Sequence, residues 1–192
     1  MKEIDYKDYY WQNKLVRLRP LRVEDWEAHY YGKFDSSARK LLKGEIELPP
    51  SIDLEKKFTE LFANFNRYEG RLMFAVENLE AVFIGTINLY SVDEKNGTFS
   101  IGVVITTEHR GKGFGTAAME MLLRYAFFER RLNKFHNQVI EENAASAAML
   151  KKLGCAQEGR ITGMIYTNGA YRDILVFGLT KDEFVAHREG LS

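Results

Sequence analysis

From Glu108 to Thr116 the chain reads EHRGKGFGT, so Gly111, Gly113 and Gly115 alternate with Lys112 and Phe114 directly after Arg110. Alternating glycines let a backbone approach a ligand closely and aim successive N–H groups inward, and the arginine and lysine supplement them with positive charge. Behind the loop, Ala118, Met121, Leu122, Tyr125 and Ala126 recur at the spacing of one helical face. A helix opening there adds the partial positive charge of its N-terminus. The loop therefore has the parts of a diphosphate cradle.

Other nucleotide motifs fit less well. A P-loop needs Gly, four residues and then Gly-Lys-Ser/Thr, a string the chain lacks. Gly113, Gly115 and Ala118 do satisfy G-x-G-x-x-A, which leaves a dinucleotide-dependent oxidoreductase with a parallel sheet as an alternative. Against it, Asn133 stands about 20 residues on, where an acid should meet the ribose. A glycine-rich turn that simply starts a helix is the plainest reading of the glycines alone. The histidines His29, His109, His136 and His187 show no metal-ligand spacing, so no metal is expected. The lone Cys155 follows Gly154 and reads as a small buried apolar residue.

The elements that must position this loop are legible on both sides of it. Residues 15–20 alternate apolar and basic like a half-buried strand, and Asp25 precedes a helical stretch at 26–31. Residues 36–68 are mostly helical in pattern, with Leu54, Phe58, Leu61, Phe62 and Phe65 at helical spacing after the break at Pro49-Pro50. Strands are expected at 71–77, 82–92 and 98–106 as an antiparallel meander, then at 135–140 after the loop and its helix. A short helix opens at Asn143 and stops at Gly154, and Asn168-Gly169 signals a hairpin between strands at 157–166 and 171–179. Thr180 and Glu183 form a candidate capping box for a last helix.

Composition sets the outer bounds. At 192 residues, with 45% hydrophobic and 28% charged, the chain suits one domain over residues 1–192, with its core at about 15–184. Lys plus Arg and Asp plus Glu both number 27, so no net field draws the molecule to nucleic acid or to an anionic membrane. The N-terminal MKEIDYKDYYW is unlike a signal peptide, and no apolar run is long enough to span a bilayer. A cytoplasmic address is expected.

Arg110-Gly111-Lys112-Gly113-Phe114-Gly115 fits R/Q-x-x-G-x-G/A, with Ile105 hydrophobic just upstream, and so resembles GNAT N-acetyltransferases. Asn143-Ala144-Ala145-Ser146 followed by MLKKLG resembles that family's N-x-x-S and L-x-K-L-G segment. The turn from Asn168 to Asp173 resembles the branch that acetylates ribosomal protein N-termini and its spermidine-acetylating relatives. The resemblance runs from about Leu15 to Phe184. It implies an α/β (α+β) GNAT fold, a mixed sheet of about seven strands splayed between strands 4 and 5 and flanked by helices.

From that resemblance, acetyl-CoA is the co-substrate and its acetyl group passes directly to a primary amine in a ternary complex. The pantetheine arm lies along exposed backbone of Val103, Val104 and Ile105, with Val104 or Ile105 donating to the oxyanion. The diphosphate lies on Arg110, Gly111, Lys112, Gly113, Phe114, Gly115 and Thr116. Many relatives protonate the leaving thiolate with a tyrosine at the position of Leu150; its absence leaves Ser146 as the hydroxyl nearest the sulfur. Ser146 otherwise bonds helix backbone. Asn143 serves as helix cap, cofactor ligand or both. Glu141, Glu142, Glu77, His136 and Asp173 are the candidates for a base, undecided among them. The acidic cluster Glu45, Glu47, Asp53 and Glu55 reads as a solvated face, or as a lure for a polyamine or a cationic N-terminus. The acceptor is ranked as a protein N-terminal amine, then a polyamine or other small amine. A non-catalytic acyl-CoA-binding module stays open, as does a homodimer.

Overall fold

The computed structural model describes residues 4–63 and 70–190. Its strands are β1 (Val16–Pro20), β2 (Leu72–Asn78), β3 (Phe83–Asp93), β4 (Thr98–Ile105), β5 (Lys134–Ile140), β6 (Ala156–Thr167) and β7 (Ala170–Thr180). Its helices are α1 (Trp26–Gly32), α2 (Ser36–Lys43), α3 (Ile52–Phe62), α4 (Phe114–Arg124), α5 (Ala144–Lys152) and α6 (Lys181–Glu189). The helical pattern expected to run through Phe65 to Tyr68 ends on residues outside those described.

The strands form one seven-stranded sheet in the order β1-β2-β3-β4-β5-β7-β6. Short polar turns join β2, β3 and β4, and that brevity dictates antiparallel pairing. Among the strand pairs only β4 and β5 run parallel, since α4 intervenes between them. The dinucleotide alternative, which needs a parallel sheet, is overturned by this topology. Asn168 and Gly169 both take left-handed backbone, at φ 50° and 74°, as a two-residue hairpin turn demands. The expected box at Thr180 forms: its side chain accepts from the Glu183 amide while Glu183 reaches back.

Side-chain size fixes the layers. Ala118, Met119, Leu122 and Leu123 of α4 are buried against Phe99, Ile101 and Phe135 of the sheet. The helix then widens into a π turn at Tyr125–Glu129, where Arg130 N–H reaches the Tyr125 carbonyl, and this carries Phe127 to within 5.3 Å of the Phe99 ring. On the other face Leu21, Phe62, Met73 and Ala75 make a second cluster beneath α3. His29 of α1 lies edge-on between Phe58 and Phe83, its Nε2 buried without a hydrogen-bond partner among the described residues.

β1 departs from a half-buried strand. Arg17 and Arg19, expected to face water, are 8% exposed. Arg19 donates to both oxygens of Asp25, at 2.7 and 2.9 Å, and pairs with Glu77. Charge pairing thus buries what alternation alone assigns to solvent. For the same reason the Asp25 side chain does not cap α1.

Candidate active site

β4 and β5 pair only at Thr98↔Lys134 and Phe99↔Phe135. Phe99 and Phe135 are wholly buried and pin the strands at that point; beyond it the strands diverge. Polar side chains bridge the start of the divergence. Ser100 Oγ donates to the His136 carbonyl at 2.7 Å, and Asn137 Nδ2 donates to the Ile101 carbonyl at 3.1 Å. Tyr90 and Asn137 line the inner space, about 270 Å³ in volume, that opens above them.

The β3–β4 ladder decides which β4 amides face that opening. Thr106 N–H donates to the Ile84 carbonyl at 2.9 Å, and bonds in an antiparallel register alternate, so Val104 also turns its backbone toward β3. Val103 and Ile105 turn theirs to the gap. Their neighbours agree: the Ile101 and Ile105 carbonyls accept from Asn137 and from Arg110, both on the gap side. Of the two proposed oxyanion donors, Val104 is engaged with β3 and Ile105 is directed outward.

From the end of β4 the chain makes a short turn at Thr107–His109 and enters the glycine loop. Gly113 sits at φ 84°, a left-handed conformation that resists any Cβ, and forms the N-cap of α4. The first α4 amide to bond within the helix is that of Ala117, to the Gly113 carbonyl. The amides of Phe114, Gly115 and Thr116 are thereby left as donors at the positive end of the helix. Arg110, Gly111, Gly113, Phe114, Gly115 and Thr116 all line one cleft of about 480 Å³. Lys112 does not; its Nζ donates to the Glu108 carbonyl at 3.0 Å.

α5 forms the opposite wall. Asn143 Oδ1 accepts from the Ser146 amide at 3.1 Å and caps the helix, while its Nδ2 donates to the Leu41 carbonyl of α2. Asn143 and Ser146 line both the 480 Å³ cleft and the inner space, so the two are continuous there. The Ser146 hydroxyl has no protein hydrogen-bond partner among the described residues. Leu150, where many relatives carry tyrosine, is 1% exposed in the core. Cys155 is buried too, and desolvation pushes its thiol up to about 12.

Sequence reasoning missed the roof. Ala38, Leu41 and Leu42 of α2 line the cleft, and Asp35, the N-cap of α2, accepts from Thr107 Oγ1 at 2.7 Å and from Arg110 Nη1 at 3.1 Å. The helical pattern from Ser36 covers α2, but no chemical motif there marks it as part of the cleft. Asn137 had a signal, a polar amide inside an otherwise strand-like run, where asparagine is disfavoured. The proposed bases fare differently, for none lines the cleft or the inner space. Glu141 pairs with Arg160, Glu142 with Lys40 and Arg172, Glu77 with Arg17 and Arg19, and Asp173 with Arg160. Among the described residues no cluster of His, Cys, Asp or Glu could hold a metal ion, and no helix is long and apolar enough to cross a membrane.

Residues 16–156 match the acetyltransferase (GNAT) domain family. Among known proteins, the SPbeta prophage-derived uncharacterized N-acetyltransferase YokL of Bacillus subtilis (strain 168) is 32% identical over 91% of this chain and 95% of its own. The putative ribosomal N-acetyltransferase YdaF of the same organism is 32% identical over 64% of each chain. A solved spermidine N-acetyltransferase from Vibrio cholerae, in complex with CoA and spermine, superposes with a TM-score of 0.76 at 23% identity, over 90% of this chain and 99% of that one. At that identity the likeness speaks for the fold.

Proposed function

The chain belongs to the GNAT acetyltransferase family and is an N-acetyltransferase, and on that premise we propose that it acetylates a primary amine from acetyl-CoA by direct attack in a ternary complex. We rank a protein N-terminal α-amine as the acceptor ahead of a polyamine. One observation carries the cofactor half of the reading. Among the described residues no carboxylate lines the 480 Å³ cleft, which has the unpaired α4 amides and Arg110 at one end and the inner gap at the other. Such a cleft favours a polyanion with a slender neutral arm, which is the shape and charge of acetyl-CoA.

In this reading Phe114, Gly115 and Thr116 donate to the diphosphate, and Val103 and Ile105 offer gap-facing backbone to the pantetheine amides and the thioester carbonyl. The acceptor nitrogen attacks the carbonyl carbon, and the charge that collects on oxygen is met by the Val103 N–H. Val103 faces the gap and lines both the cleft and the inner space, whereas Ile105, whose carbonyl holds Arg110, lies at the diphosphate end. As the C–S bond breaks, the Ser146 hydroxyl donates to the departing thiolate. An ammonium must lose a proton before attack, and because the carboxylates near the gap are already ion-paired, that proton leaves through water.

The ranking of acceptors rests on the resemblance to the branch that acetylates ribosomal protein N-termini, and the acidic cluster does not reverse it. Glu47 takes two bonds from Arg39, at 2.6 and 2.9 Å, and Glu55 takes one from Lys33 at 2.5 Å. A cation lured there would have to displace these partners. The test pairs binding with turnover. Acetyl-CoA should raise the melting temperature of the wild type and leave a folded Gly113→Asp variant unmoved, since the aspartate places negative charge in the cradle. Thiol release should then be faster with short peptides bearing free N-termini than with spermidine. Absence of acetyl-CoA binding to the wild type would overturn the cofactor assignment; faster release with spermidine would reverse the acceptor ranking.

A further inference from the structure

We propose that Asp35 is a positioning residue for cofactor binding: it aims the Arg110 guanidinium into the diphosphate cradle and couples that cradle to the helix roofing the cleft. The inference rests on the acetyl-CoA reading above. Arg110 is held at two points. Its Nε–H donates to the Ile105 carbonyl at 2.9 Å and its Nη1 donates to Asp35 Oδ2 at 3.1 Å. A guanidinium carries five N–H donors in one plane, so with Nε and Nη1 engaged its orientation is fixed and Nη2 is left for an incoming anion. The Arg110 side chain is 41% exposed, and without the second anchor it would sample many rotamers, each lost again when the ligand binds.

Asp35 is itself immobilised, which lets it act as an anchor. Oδ1 accepts from the Ala38 amide at 3.1 Å, and Oδ2 accepts from Thr107 Oγ1 at 2.7 Å as well as from Arg110. The Thr107 hydroxyl bond, the Ala38 amide and Arg110 together hold its carboxyl below the ordinary range, so it stays ionised. At its far end α2 is tied to the other wall of the gap, by Asn143 Nδ2 on the Leu41 carbonyl and by Lys40 on Glu142. α2 is thus a strap fastened on both margins of the cleft, and Asp35 is the buckle on the diphosphate side.

Asp35→Asn separates this role from simple helix capping. The asparagine oxygen can still accept from the Ala38 amide and its NH2 can donate to Thr107 Oγ1, while the bond to Arg110 is lost. The experiment is a calorimetric titration of acetyl-CoA into wild type, D35N, R110A and the double variant, with a melting temperature for each. D35N should weaken acetyl-CoA binding by roughly three- to tenfold with little change in melting temperature, and should cause no further loss in the R110A background. Undiminished affinity in D35N, or an equal loss with and without Arg110, would overturn the proposal. Failure of the wild type to bind acetyl-CoA would instead strike the cofactor reading on which it rests.

Discussion

A hydroxyl with no protein partner, at the junction of a cleft and an inner gap, has its hydrogen-bonding capacity free for whatever enters, and Ser146 is so placed. One hydrogen bond to a charged group contributes about 1.5–3 kcal/mol, and a bond made to a forming thiolate is stronger in the transition state than before it. Ser146→Ala should therefore lower kcat by about ten- to a hundredfold while the KM for acetyl-CoA moves less than about threefold. Steady-state kinetics with the best acceptor would decide it, and an unchanged kcat would remove Ser146 from the surroundings of the sulfur. At this scale the sequence was most readable where the chemistry is local. The glycine loop and the Asn143–Ser146 cap lie within single short strings. Asp35 was not readable, because its partners Thr107 and Arg110 lie 72 and 75 residues away in the chain. The five candidate bases stayed undecided for another reason: charge alone could not reveal that the carboxylates among them are ion-paired and line neither the cleft nor the inner space.

The elements that frame the gap were legible from their turns and periodicity, and their fit depends on a few close approaches. Gly85 of β3 is the tightest. A Cβ there would lie 2.1 Å from the Val104 carbonyl oxygen, a backbone atom that cannot step aside without moving β4. Gly85→Ala should cost about 2–3 kcal/mol in denaturant unfolding, as overpacking does, and should weaken acetyl-CoA binding because Val103 and Ile105 move with the strand. Wild-type stability in G85A would mean that β3 and β4 yield more readily than their register implies. The alternation in β1 misled for a related reason. Period two reports which side of a strand each residue occupies, not whether that side is covered, and the Arg19–Asp25–Glu77 cluster covers the second side. The π turn after α4 was invisible to a search tuned to 3.6 residues per turn.

For the whole molecule, pH sums contributions from distant groups. His29 has its pKa lowered, chiefly by desolvation, with Glu55 and Asp25 opposing and Lys33 and Arg39 assisting. Asp35, Asp173 and Glu183 are lowered mainly by hydrogen bonds, from the Thr107 hydroxyl, the Gly163 amide and the Thr180 amide respectively. In each case the folded value lies below the unfolded one, so the stability is complete above the unfolded value and is lost as pH falls. The melting temperature should hold near neutrality, begin to fall below about pH 6.5 as His29 is protonated in the unfolded chain, and fall again below about pH 4.5 with the carboxylates. His29→Leu should flatten the first decline and leave the second. Scanning calorimetry across pH would check both, and a first decline surviving in H29L would assign it to another group. The unpaired stretch of β4 and β5 also bears on the order of assembly. β2 to β4 close through short turns, β1 joins them across α1 to α3, and β5 to β7 gather on their own side, whereas the parallel contact at Thr98 and Phe99 must wait for the whole segment up to Lys134 to fold back. The sheet is thus two locally built halves joined at a narrow weld, with the cleft along the unwelded length. A molecule that bridges the two halves acts as mortar as well as reactant, and the chain is then sturdiest while it is at work.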